Sequence, residues 1–172
     1  MKKDFIKTMA LCMVACLAIL SCASTDPSGL SKAERQQQQA MMVQKALLDR
    51  NYTISVQSAH PTGGAPINLS SPYSLKVNGD TVVSYLPFFG RAYSVPYGGG
   101  KGLNFTGKVI SYETSRNKKE YNIKMGVDSD EDQYIYYIDV YENGRAVILV
   151  ASKNRSNITF YGEMDDQNLS AK

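Results

Sequence analysis

The sequence has no tryptophan and one histidine, and its three cysteines all fall within the first 22 residues. A lone His60 without cysteine or carboxylate neighbours cannot assemble the ligands of a zinc site, so neither a metal nor a cofactor is expected. No G-x-S-x-G turn presents a serine nucleophile, and no second histidine is available to activate one. An excess of one charge is missing too, with 19 Lys and Arg against 16 Asp and Glu. A surface that tracks nucleic-acid phosphates needs clustered basic residues, and the absence of such a cluster excludes nucleic acid as an expected partner. The apolar run Met9 to Leu20 is 12 residues, too short for a hydrocarbon core that needs about 20 helical residues. Gly98-Gly99-Gly100-Lys101-Gly102 looks like a phosphate loop, but Gly102 stands where Ser or Thr must hold magnesium.

What is present begins with an export device. Lys2, Lys3 and Lys7 precede the apolar run, which ends at Ser21-Cys22, so residues 1–22 read as a signal peptide. Ile19-Leu20-Ser21-Cys22 resembles a bacterial lipobox, which implies that Cys22 becomes an acylated N-terminus while Cys12 and Cys16 are removed. Removing the signal leaves 16 basic against 15 acidic residues. Ala23 after the cysteine is the pattern of outer-membrane sorting, so the expected location is the cell envelope, lipid-anchored at the outer membrane. Residues 23–30, interrupted by Pro27 and Gly29, form a tether that reaches at most about 28 Å.

Residues 31–162 read as one domain and residues 163–172 as a polar tail. Ser31 and Glu34 have capping-box spacing, and Ala33, Ala40, Val43 and Leu47 are spaced for one helix face that stops near Asn51. The run Gln36 to Gln39 is expected on the solvated face. Strands are expected at Tyr52–Val56, Tyr73–Val77, Thr81–Tyr85, Phe105–Thr114, Glu120–Val127, Gln133–Glu142, Arg145–Ser152 and Asn157–Tyr161, with a break after the first at His60 to Gly64. Asn78-Gly79 is a tight-hairpin dipeptide, and short polar connections imply that successive strands pair antiparallel. Tyr134 to Ile138 is apolar on both faces, which predicts a central strand covered on one side by the helix or by a curled sheet. The expected fold class is mainly β (α+β), one N-terminal helix packed on a curved antiparallel meander sheet or open β-barrel of about eight strands.

Two smaller motifs have plain readings. Asp128-Ser129-Asp130-Glu131-Asp132 opens like a calcium loop, but Gln133 replaces the required glycine and Asp139 the terminal glutamate, so a charged hairpin tip is expected. Asp80-Thr81-Val82 resembles an O-glycosylation acceptor of exported proteins.

The stretch Tyr85 to Phe105, YLPFFGRAYSVPYGGGKGLNF, crowds aromatic, proline and glycine residues between a hairpin and a meander. Tyr85, Phe88, Phe89, Arg91, Tyr93 and Tyr97 form the candidate binding set, since flat rings and a guanidinium suit a glycan or a protein partner. The same rings could instead cap the core as a strap. The motif Y-L-P-F-F-G-R-A-Y-S-V-P-Y-G-G followed by G-L-N-F resembles an uncharacterised lipoprotein family of Bacteroidetes-type bacteria, domain of unknown function 4251. That resemblance implies an exported, lipid-anchored β-rich domain and brings no catalytic residue. The expected function is a non-catalytic envelope lipoprotein that binds a ligand or partner. A structural or assembly lipoprotein is the second reading, and a hydrolase acting on envelope glycans the third.

Overall fold

The computed structural model describes residues 31–93 and 102–165. The chain divides into two compact units, Met1–Glu34 and Arg35–Lys172, and of the first only residues 31–34 are described. Helix α1 spans Lys32–Leu48, followed by β1 (Asn51–Pro61), β2 (Ile67–Asn68), β3 (Ser74–Asn78), β4 (Thr81–Leu86), β5 (Leu103–Asn117), β6 (Glu120–Asp128), β7 (Gln133–Tyr141), β8 (Arg145–Ser152) and β9 (Ile158–Met164). All pairings are antiparallel, and each strand from β3 to β9 lies beside its successor. β1 pairs with β3 on one side and with β9 on the other, which closes eight strands into a barrel, and β2 is a short addition to β1.

The barrel is filled by the inward residues of each alternating strand. Tyr52, Ile54, Leu75, Val77, Val82, Ile123, Met125, Tyr136, Ile138, Ile148 and Phe160 are all buried. Each fully buried aliphatic side chain of this size contributes about 1.5–3 kcal/mol. The polar inward groups are partnered: the Tyr136 hydroxyl donates to Ser84 Oγ at 3.1 Å, and Ser84 donates to the Leu103 carbonyl at 2.7 Å. Tyr52 and Tyr112 share a hydroxyl contact of 3.2 Å, with the Arg50 guanidinium 4.6 Å from the Tyr112 ring.

Because the strands form a meander, alternate turns fall at opposite ends of the barrel. At one end Val43, Ala46 and Leu47 of α1 enter the core, while Gln39 Nε2 donates to the Asn143 carbonyl in the β7–β8 turn at 2.9 Å. The capping box forms as its spacing implies, with Ser31 N donating to Glu34 at 2.8 Å and Glu34 N to Ser31 Oγ at 3.3 Å. The Ser31 N–H first, and then its hydroxyl, hold the Glu34 carboxyl below its usual range. Ala33 is exposed and Ala46 takes its place on the buried face. The helix stops at Leu48, and Arg50, with φ of 50°, makes the turn into β1 that was expected at Asn51.

The eight expected strands are present, and the differences are local. β1 runs on through His60 and Pro61, because β9 supplies a ladder as far as Pro61↔Ile158 and outweighs the Pro-Thr-Gly-Gly break signal. β9 continues to Met164, which is buried, into the stretch read as a polar tail. The β3–β4 turn consists of Gly79 and Asp80, with positive φ only at Gly79, so Asn78 belongs to the strand. β7 is covered on its inner face only: Ile135 and Tyr137 point outward at 40% and 41% exposure, since closure of the barrel leaves the outer wall bare.

The seam between β1 and β9 sets the tightest backbone approach. At Gly162 the partner strand bulges between Val56 and Ser58, and a Cβ on Gly162 would collide with the Ser55 carbonyl. Gly162→Ala is expected to cost about 1–3 kcal/mol by overpacking against backbone that cannot swing away, read as a lower midpoint in urea unfolding. Gly63→Ala, where a Cβ would meet open space, isolates the backbone effect of a positive φ.

Candidate functional site

The described part of the strap between β4 and β5, residues 87–93, lies at the barrel end opposite α1. Tyr85 and Leu86 still belong to β4, and β5 starts at Leu103. Its described part is fixed by main-chain bonds to the β8–β9 turn: Tyr93 N donates to the Asn154 carbonyl at 2.7 Å and Ser156 N to the Arg91 carbonyl at 2.9 Å. Arg91 N donates to Ser156 Oγ at 2.9 Å, and Ala92 forms a bridge with Arg155. Gly90 permits this contact, since a Cβ there would collide with Ser156 Oγ and lie 2.7 Å from the Phe88 ring.

These pins sort the candidate residues into two groups. Phe88 turns inward against the core, with the Arg155 guanidinium 5.4 Å from its ring centre. Tyr85, Phe89 and Tyr93 are 41%, 45% and 70% exposed, and Arg91 is exposed. Tyr85 lies on the outer wall with its ring 5.2 Å from that of Tyr73. Tyr97 and Cys22 lie outside the described residues.

Sequence reasoning missed Arg155, which is only 7% exposed and is the cation that organises this end. It lies 3.5 Å from Glu131 of the β6–β7 turn and under Phe88. A surface-turn sequence, Ser152 to Ser156, gave no sign of it; Phe88 of the strap and Glu131 of the β6–β7 turn lie against it. Nearby, Phe105 stacks on Tyr134 at 4.7 Å, and the Tyr134 hydroxyl donates to the Gly102 carbonyl at 3.3 Å. Burial pushes the Tyr134 phenol up, opposed by the Arg155 charge. The Asp128–Asp132 turn is closed by its own serine: Ser129 Oγ donates to the Asp132 carbonyl and receives the Asp132 N–H at 3.2 Å. Among the described residues no group of three His, Cys, Asp or Glu side chains is placed to hold a metal. His60 stands 4.5 Å from the Tyr161 ring on the outer wall, and Thr81 is exposed at the start of β4.

Two clefts lie elsewhere. One of about 470 Å³ runs along the outer wall beside Ile110, Gly126, Ile135 and Ala151, and one of about 390 Å³ lies between α1 and the turns carrying Lys119 and Asn143. Neither is lined by the candidate aromatic residues.

A filled antiparallel barrel with a helix at one end and the described part of the strap at the other defines the class of fold. The chain belongs to the family described as domain of unknown function DUF4251, whose model matches residues 34–164. A crystal structure of a DUF4251 family protein from Bacteroides eggerthii is similar at 15% identity and a TM-score of 0.57, covering 73% of this chain and 86% of that one. At that identity the likeness shows the shared fold. No functionally curated protein matches the chain.

Two outcomes follow from this geometry. Arg155→Ala should destabilise the domain by about 2–3 kcal/mol, less than a fully buried pair because Glu131 keeps some water contact, whereas Arg91→Ala should stay within about 0.5 kcal/mol. Urea unfolding of both variants checks the contrast. Tyr52, Tyr112, Tyr134 and Tyr136 all have phenols pushed up, chiefly by burial. The native state therefore holds these protons more tightly than the unfolded chain, so stability is kept below about pH 10 and falls as pH rises above it. Absorbance at 295 nm should show exposed tyrosines titrating first and these four ionising only with unfolding.

Proposed function

We propose that this protein is a lipid-anchored envelope module that binds a partner or glycan through the outer aromatic face of its strap and carries out no chemistry of its own. The observation that carries the reading is the pairing of rigidity with exposure: Phe89 and Tyr93 flank a backbone bonded into the β8–β9 turn, yet both rings face out. Exposed aromatic side chains on a fixed backbone lose little conformational entropy on binding, which is the property that makes them interface anchors. The absence of chemistry is supported by how the described charges are used. Arg116 of β5 pairs with Glu142 of the β7–β8 turn, Arg50 with Asp80 between two turns, and Lys45 of α1 with Asp49 just past its end. The anchor is supported by residues 1–22, whose basic start, short apolar run and Leu20-Ser21-Cys22 ending suit acylation at Cys22 and an outer-membrane address.

Replacing Tyr93 with a photoreactive phenylalanine in intact cells should yield a discrete cross-linked product, and Phe89→Ala should reduce its yield about tenfold without changing stability. No product at Tyr93, with the protein folded and exported, would remove the strap as a binding face. Cys22→Ala should abolish labelling by a fatty-acid analogue and release the protein from membranes. Unchanged membrane retention would count against the anchor alone.

A further inference from the structure

The barrel wall is not complete along its whole height. β5 is 15 residues long, and β4 pairs only with Leu103 to Lys108, a single further bond running from Val109 N to the Asp80 carbonyl. From Ile110 to Asn117 the strand pairs only with β6 among the described residues, and Ser111 and Glu113 to Asn117 are exposed. Eight residues of strand, about 27 Å, thus present one row of unpaired N–H and C=O groups. The guards are sparse: Glu113 and Arg116 are the charged residues of the edge. No proline interrupts the edge, the bulge lies at its start between Val109 and Ser111, and beyond it the register with β6 is regular to Asn117↔Glu120. Such an edge is complementary to another extended strand.

We propose that this edge pairs antiparallel with the same edge of a second copy, joining two barrels across a two-fold axis at Thr114. A two-fold axis perpendicular to a sheet keeps each face on its own side, so residues of the same parity must oppose each other. Centring on Thr114 uses the regular part of the edge symmetrically. It sets Thr114 against Thr114, Glu113 against Ser115, Tyr112 against Arg116 and Ser111 against Asn117. No like charges meet, and the threonine pair is a favourable cross-strand contact. Centring on Glu113 would place that carboxylate against itself. Arg116 is already held in place, 2.9 Å from Glu142 and 5.1 Å from the Tyr121 ring. The contact uses neither the strap nor the anchor, so it stands apart from the binding role proposed above.

Cysteine cross-linking of the full chain in intact cells tests the register. On a non-reducing gel, with the unaltered chain as baseline for the native cysteines, Thr114→Cys should run largely as a disulfide-linked dimer. Asn117→Cys alone, which faces Ser111, should give at least about tenfold less. The double variant Ser111→Cys/Asn117→Cys should again cross-link, which keeps the test open where Thr114→Cys fails to accumulate. In the cross-linking background Ser115→Glu places a carboxylate opposite Glu113 twice and should cut the yield about tenfold, while Ser115→Lys should preserve or raise it. Dimer in neither cross-linking variant, equal yields at 114 and 117, or Glu and Lys at 115 acting alike would each overturn the proposal.

Discussion

The structure depends on one close approach, the antiparallel seam where β9 returns to β1. Without it the meander would be an open sheet with two bare edges, and the inward row of tyrosines and aliphatic residues would face water on one side. With it, the row becomes a packed interior. The seam is possible because Gly162 has no Cβ to strike the Ser55 carbonyl and because β1 takes up one extra residue at Gln57. A bulge adds twist and bend to a strand, and closure of a small barrel needs both. Both ends of the barrel then need cover. α1 supplies Val43, Ala46 and Leu47 at one, and the strap supplies Phe88 at the other.

The two ends are closed by different physics. At the helix end the cover is apolar and continuous with the core. At the strap end it is a cation: Arg155 lies between Phe88, Glu131 and Tyr134, so charge, ring and carboxylate hold turns from three places in the chain. A buried guanidinium tolerates only a narrow set of arrangements, because moving any partner leaves its charge uncompensated. Such an end fixes the strap's course. It accounts for how a segment with two prolines and five glycines between Leu86 and Leu103 can hold Phe89 and Tyr93 outward.

Much of the fold was legible because period-two alternation and short polar turns act locally. Thr81–Tyr85 and Glu120–Val127 read as strands, and the strands Thr81–Leu86 and Glu120–Asp128 include them. What was not legible depends on partners far apart in sequence. The continuation of β1 through His60 and Pro61 is imposed by β9, about 100 positions later, against the local turn signal. The bare outer face of Ile135 and Tyr137 follows from closure, which no single strand encodes. In the candidate site, the crowding of rings marked the right segment but could not divide it. Phe88 and Phe89 are neighbours of the same type, and only the path of the backbone, set by Gly90 against Ser156, turns one into the core and leaves the other outside. Arg155 was invisible because its burial comes from residues some 60 positions earlier.

The same logic explains why the long β5 edge is informative. A barrel removes edges by pairing every strand on both sides, so a strand that outruns its neighbour by eight residues reinstates the hazard that closure removes. The β5–β6 hairpin runs on past the level of the β3–β4 turn. Its inner face carries Tyr121, Ile123 and the half-buried Tyr112, which belong to the same core cluster as Val43, Ala46 and Leu47 of α1. The extension therefore serves the β6 side, where it adds Tyr121 and Ile123 to the core. β5 must accompany β6 to satisfy its backbone, and the cost falls on the far side of β5, where Ile110 to Asn117 have no neighbour among the described residues. The unpaired row on β5 thus follows from how β6 completes the core.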